Sequence, residues 1–231
     1  MMGQAKVLGL TLVLALTFGA TASADTPMNA LTTAMQKTAS AKTAHVQLAQ
    51  RYSAPGRTTT SNVTGTLARG DQDLTTSSEG AESRRVAIGQ SVFQRRPNTP
   101  DAPWKTGQRT APTSDQAFGS LALPDGTSLA DPKLYRNVQD VGTEQLPLGL
   151  ARKITADVDM TVVATALWLS AADQTRLGQM QANVTLWVST TDGSLLRHSL
   201  QITIPGASGA QTIETTIDLS DLDAALTVTA P

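Results

Sequence analysis

The chain has 231 residues, with 18 Lys and Arg against 19 Asp and Glu, a formal net charge of −1, and aromatic residues at only 3%. A near-neutral chain without a basic stretch is a poor nucleic-acid binder, and so few aromatics argue against stacking platforms for bases or sugars. There is no cysteine, which excludes disulfides and an N-terminal lipid anchor of the bacterial kind, so the fold must be held by its core alone.

The N-terminus has the layout of a secretion signal. Lys6 gives a positive start, VLGLTLVLALTFGA an apolar core, and Ala22 and Ala24 an A-x-A cleavage site. The expected cut follows Ala24, leaving residues 1–24 as signal peptide and 25–231 as one domain of about 200 residues, long enough to bury a real core. A retained membrane anchor is the alternative, but the apolar run is below the ~18 residues that a span needs.

Residues 27–42, PMNALTTAMQKTASAK, read as a helix, with Pro27 suiting the first turn and Leu31, Ala34, Met35 and Thr38 at helical spacing. The period then changes to two. AHVQLAQRY alternates Val46 and Leu48 against His45 and Gln47, and NVTGTLARG places Val63 and Leu67 on one face. DQDLTTSS is a weaker strand, and RRVAIGQSVFQRR reads as a strand with Val86, Ile88 and Val92 together. Residues 97–132 break the pattern: a Pro-rich loop around a short strand at Trp104, a helical turn in SDQAFGSLAL, and a second short helix in SLADPKLYRNV leading into QDVGTEQL. GLARKITADVDM alternates again, with Ile154, Ala156, Val158 and Met160 on one face. A helix over about 161–180 follows, with Val163, Ala166, Leu167, Leu177 and Met180 on its apolar face. VTLWVSTTDGSLLRHSLQITIP is a hairpin turning at Asp192-Gly193. Val184, Leu186 and Val188 line one strand, and Leu196, Leu200, Ile202 and Ile204 the other. A last strand aligns Ile213, Ile217 and Leu219.

These elements predict an α+β fold: a curved antiparallel half-barrel whose concave apolar face is covered by a few helices. The covers are the helix at 27–42, the segment near 113–136 and the helix at 161–180. They offer little bulk, so the arrangement reads as a container. Its predicted wall comprises Val46 and Leu48, Val63 and Leu67, Val86, Ile88 and Val92, Ile154 and Val158, and Leu186, Leu200 and Ile202. Its lid comprises Leu31, Met35, Val163, Leu167 and Trp168.

The same segments resemble a known family. KTAHVQLA, TGTLARGDQDLTTS, ESRRVAIGQSVFQRR followed by PWKTG, VQDVGTEQLPLGLARKITADVD, VTLWVSTTDGSLLRHSLQI and the ending LTVTAP are similar, as a pattern, to the actinobacterial LppX/LprG-type lipoproteins. Those share the half-barrel of the periplasmic lipoprotein carrier LolA. The resemblance covers most of the chain after residue 24 and implies a lipid, a glycolipid or an acylated protein held in a hydrophobic cavity. It also implies exchange with a membrane donor or acceptor, no cofactor and no enzymatic activity. The chain departs from the family in lacking the lipobox cysteine, so a soluble monomer in the periplasm or medium is expected. A rival reading, an envelope-stress module of the RseB type that binds a protein or lipoprotein, expects a second domain, and the chain ends at VTAP without room for one.

Other features invite chemistry and yield to simpler readings. There is no G-x-S-x-G elbow, and His45 and His198 are the only histidines; His198, in phase with Leu200, reads as a sheet histidine or as a polar contact to a head group. The pairs Asp71/Asp73, Asp157/Asp159 and Asp221/Asp223 lack the ligand density of a calcium loop and read as a solvated face. Arg69-Gly70-Asp71 reads as a hairpin turn, and the sequons at Asn62 and Asn183 as ordinary strand residues. Arg84, Arg85, Arg95 and Arg96 bracket an apolar run and could hold phosphate at a cavity rim, although strand-end arginines are commonly solvated or paired. Trp168 reads as core packing or a gate.

Overall fold

The computed structural model describes residues 25–95, 98–99, 101–109, 128–167, 170–206 and 209–231. The expected signal peptide, the helical turn near 115–123, Arg96 and Trp168 lie outside the described residues.

Helix α1 (Pro27–Ser40) starts where Thr26, in extended backbone, accepts a hydrogen bond from the amide of Asn29 at 3.2 Å and Pro27 fills the first turn. Two meanders follow. The first runs through β1 (Thr43–Ala54), β2 (Arg57–Ala68), β3 (Asp71–Ser78), β4 (Ala81–Ile88), β5 (Ser91–Gln94) and β6 (Lys105–Gln108). The second comprises β7 (Tyr135–Leu146), β8 (Gly149–Val158), β9 (Gln181–Ser189), β10 (Leu195–Ile204) and β11 (Gln211–Ser220). Antiparallel pairing of β1 with β11 joins them into one open 11-stranded sheet, in the order β6-β5-β4-β3-β2-β1-β11-β10-β9-β8-β7.

Side chains alternate between the faces of a strand, so register carries one face across the sheet. Val46 and Leu48 lie opposite Leu219 and Ile217 on one side and Gly65 and Val63 on the other. The same inner face continues through His198 and Leu200, then Leu186 and Val184, then Ile154 and Ala156. α1 buries Ala30, Leu31, Ala34 and Met35 against this face, mainly over β7, β9 and β10, in a core that includes Ile154, Leu186 and Val188.

Four expectations change. The run 84–96 is two strands, β4 and β5, because the chain reverses between Ile88 and Ser91; Val86 therefore pairs with Phe93, and Val92 sits opposite Ala87. Val86 and Ile88 thus point to the outer face, and only Val92 points inward. The register shift between Leu195 and Arg197 sends Leu195 into the inner core and Leu196 outward against Trp187, Leu146 and Ala151. The helix expected at 161–180 is two, α2 (Met160–Ala166), capped by Asp159, and α3 (Ala171–Gly178), capped by Ser170. The short helix expected before QDVGTEQL is a single 3-10 turn, Pro132–Leu134, and β7 begins at Tyr135.

The β9–β10 turn is where the sequence places it. Gly193 has φ +70°, its amide donates to the Ser189 carbonyl at 3.0 Å, and Ser194 donates to the Asp192 carboxylate at 2.7 Å. Lys37 of α1 reaches the Asp192 carbonyl at 2.8 Å and its carboxylate at 3.0 Å, tying the helix to the hairpin tip. Gly65 answers a different constraint: a Cβ there would lie 1.9 Å from the carbonyl oxygen of Asp73 on β3. Gly193→Ala, with open space around it, should cost about 1 kcal/mol through its backbone conformation alone. Gly65→Ala should cost more, about 2–3 kcal/mol, because neighbouring backbone must move. Urea unfolding of the two variants checks that order.

Candidate functional site

The inner face divides into a closed part and an open part. Beneath α1, Ile154 and Leu186 are fully buried, and Leu31 and Ala34 of the helix are equally so. Away from α1, Leu48 on β1, Val63 on β2, Leu200 and Ile202 on β10, and Ile213 and Ile217 on β11 are only half-buried. The apolar alternation thus continues past the helix that covers it. Of the predicted wall, the structure brings together on this face Val46, Leu48, Val63, Leu67, Val92, Ile154, Val158, Leu186, Leu200 and Ile202. Of the predicted lid, Leu31 and Met35 are core residues of α1, Val163 of α2 packs against the same core, and Leu167 is half-buried after α2.

His198 is a polar side chain set within this apolar surface. It lies opposite Ile217 on β11 and Leu186 on β9, and its buried Nδ1 has no hydrogen-bond partner. Burial pushes its pKa down to about 4, so the ring is neutral at pH 7. Tyr135, at the covered end, donates to the Leu129 carbonyl at 2.6 Å, and burial raises its phenol to about 12.

Outside the small apolar cluster around Trp187 and the outward Val86, the outer face carries polar side chains matched across strands. Glu144 accepts from Lys153 at 3.0 Å and from the Trp187 indole at 2.9 Å, bonds that hold its carboxyl below the usual range. The Lys153 ammonium stands 5.0 Å from the Trp187 ring centre, and Arg197 grips Asp218 through two hydrogen bonds. Next to this belt, a recess of about 470 Å³ lies between His45, Thr66, Arg197, Asp218 and the turn Leu146–Leu148. Sequence reasoning missed the belt, because its members occupy the polar phase of strands whose pairing only the register reveals.

The remaining candidates resolve into local structure. Arg84 faces outward and holds Asp73 at 2.8 and 2.6 Å, and the guanidinium groups of Arg84 and Arg95 stand 5.8 and 4.9 Å from the Trp104 ring centre; Arg85 points to the inner side. Asp71 caps the Gly89 amide, Asp157 accepts from Asn137, and Asp159 caps α2 and pairs with Arg136. Asp223 accepts from the Lys42 amide, and Asp221 stands 4.0 Å from His45. No group of acids and histidines suited to a metal occurs among the described residues. Arg69 and Gly70 form the tight β2–β3 turn, with φ +50° and +83°, and Asn62 and Asn183 are exposed strand residues. No described helix is long and apolar enough to cross a membrane.

No protein-family model matches the sequence, and no curated protein matches it. Solved structures do. The lipoprotein LppX of Mycobacterium tuberculosis aligns with a TM-score of 0.54 at 12% identity, over 88% of this chain and 98% of that one. LprF of Mycobacterium bovis aligns with a TM-score of 0.50 at 12% identity, over 89% and 96%. At such identity the likeness is one of fold: the chain has an LppX-type fold, an open curved antiparallel sheet with helices over its concave side.

The buried histidine yields a pH dependence. Its pKa falls from about 6.5 unfolded to about 4 folded, so between those values the unfolded chain binds more protons and stability drops as pH falls. From pH 7 to pH 4.5 this group should remove on the order of 2 kcal/mol. Urea unfolding at the two pH values should show a smaller drop for His198→Leu than for the unaltered protein.

Proposed function

We propose that this protein is an exported, non-enzymatic carrier or binding protein that holds lipids or lipidated molecules against the inner face of the sheet. The observation that carries the reading is the continuation of apolar side chains beyond the helical cover. Leu48, Val63, Leu200, Ile202, Ile213 and Ile217 share one face and stay half-buried. A close-packed core would bury such residues, since each Å² of apolar surface removed from water contributes about 25 cal/mol and unfilled apolar volume costs about 24 cal/mol per Å³. An acyl chain is long, apolar and pliant enough to supply the missing contacts. The cover has little bulk of its own, since α1 presents two alanines beside Leu31 and Met35. The similarity of fold to the lipoprotein LppX and to LprF supports the same reading.

On this proposal the wall is the inner-face set Val46, Leu48, Val63, Leu67, Val92, Ile154, Val158, Leu186, Leu200 and Ile202, with Leu31, Met35, Val163 and Leu167 over it. Residues 1–24 act as a cleaved signal peptide, 25–231 form the carrier domain, and the mature protein is a monomer exchanging ligand with a membrane donor or acceptor. N-terminal sequencing of the exported protein should therefore begin at Asp25; an intact Met1 would overturn the export route.

Delipidated protein should bind a fluorescent long-chain fatty-acid probe saturably. Leu200→Trp, on the inner face, should weaken that binding several-fold, while Ile88→Trp, on the outer face of β4, should leave it unchanged. Equal effects of the two variants would move the site off the inner face. Absence of binding by the unaltered protein would favour a protein-partner module of the RseB type.

A further inference from the structure

The inner face changes character at its β6 edge. One rung across β4, β5 and β6 is Arg85, Gln94 and Lys105; the next is Ala87, Val92 and Gly107. Arg109 follows two residues beyond Gly107 on the same side, its amide bonded to the Gln90 carbonyl. Lys105 and Arg109 are four residues apart on an extended chain, so their backbones are about 13 Å apart. Between them the floor is small: a Cβ built on Gly107 would meet nothing within 4 Å. The result is a trough of about 480 Å³ lined by Arg85, Lys105 and Arg109 together with Gln72, Gln94 and Gln108 and without a carboxylate.

That charge pattern departs from the rest of the sheet. Four cations elsewhere in the sheet are neutralised across strands, in Arg84–Asp73, Arg152–Asp140, Lys153–Glu144 and Arg197–Asp218. In the trough, Arg85 donates to the neutral Gln72 amide oxygen at 3.0 Å and Arg109 to the Gly70 carbonyl at 2.7 Å. No described carboxylate pairs with Arg85, Lys105 or Arg109. Three positive charges thus converge on a hollow with a small-residue floor, ringed by amides able to donate hydrogen bonds. Guanidinium pairs with phosphate oxygens through two parallel, charge-assisted bonds, which suits this arrangement to a phosphate. The trough is also contiguous with the apolar surface: Leu74, opposite Arg85, packs against the main core.

We propose that this trough binds the anionic phosphate head group of a lipid whose acyl chains lie along the neighbouring apolar face. The inference rests on the carrier reading above and adds a ligand class to it: phospholipids or phosphorylated glycolipids in preference to neutral ones.

The test uses two fluorescent probes with identical acyl chains, a phosphatidic acid and a diacylglycerol, titrated into delipidated protein. The unaltered protein should bind the phosphatidic acid at least tenfold tighter, with the preference shrinking at high salt. Arg85→Gln/Lys105→Gln/Arg109→Gln should abolish the preference while leaving diacylglycerol binding unchanged. Gly107→Glu, which fills the floor and adds a negative charge without touching the cations, should do the same. Equal binding of both probes by the unaltered protein, or equal weakening of both by the triple variant, overturns the head-group site and leaves the carrier reading standing. Binding of neither probe overturns both. Inorganic phosphate that binds as tightly as the phosphatidic acid overturns the lipid assignment in favour of a free-anion site.

Discussion

The inner face exists as one surface only because β1 pairs with β11. Each meander pairs strands that are neighbours in sequence, but this one pairing joins strands from opposite ends of the described chain, in register from His45 with Ser220 to Ser53 with Thr212. It is fastened at one end by the residues after β11. The Lys42 amide donates to the Asp223 carboxylate at 2.7 Å, the Thr43 hydroxyl to the Ala224 carbonyl at 2.7 Å, and the Asp223 amide to the Thr43 carbonyl at 3.1 Å. A slip of one residue here would turn Ile217 and Leu219 away from Leu48 and Val46 and divide the apolar surface in two.

The two faces are distinguished by how completely each satisfies itself. Outside, Arg84 with Asp73, Arg197 with Asp218, and Lys153 with Glu144 and Trp187 match donor to acceptor across adjacent strands. Such partly exposed pairs add little stability singly, but like charges brought opposite one another by a shifted register would be repelled. Inside, apolar side chains stand half-exposed, the His198 Nδ1 has no partner, and the cations at the β6 edge face only amides. This unmatched inner surface is what the proposed ligand site rests on.

Much of this was legible in the alternation of residues. Val46/Leu48, Val63/Leu67, Ile154/Ala156, Val184/Leu186 and Ile213/Ile217/Leu219 were each aligned correctly because one face of each strand meets a core. The signal failed where that cause was absent. β7 is exposed along most of its length and β6 along all of it, so neither has an apolar period to read. A two-residue reversal at Gly89-Gln90 swaps the phase of everything beyond it, and the bulge at Leu195 does so again; Gly89, with φ +53°, marks the first, and only the second leaves no compositional mark. The split of the later helix lies in two caps, Asp159 and Ser170, which are ordinary polar residues until the backbone around them is known. The grouping of Arg85, Lys105 and Arg109 was illegible for a related reason: Arg85 lies on β4 and the other two at β6, and only pairing through β5 makes them neighbours.

The placement of β11 beside β1 also bears on biogenesis. A polypeptide delivered from its N-terminus presents β1 to β6 early, and β2 pairs with one side of β1 at once. The other side of β1 offers unpaired amides and carbonyls until residues 211–220 arrive. Such an edge is a template for any strand that reaches it first, and closing so long a loop is slow compared with forming hairpins. The barrel's midline is therefore its last seam to close, and until then the nascent protein is a sticky half-sheet that must be kept from its own kind.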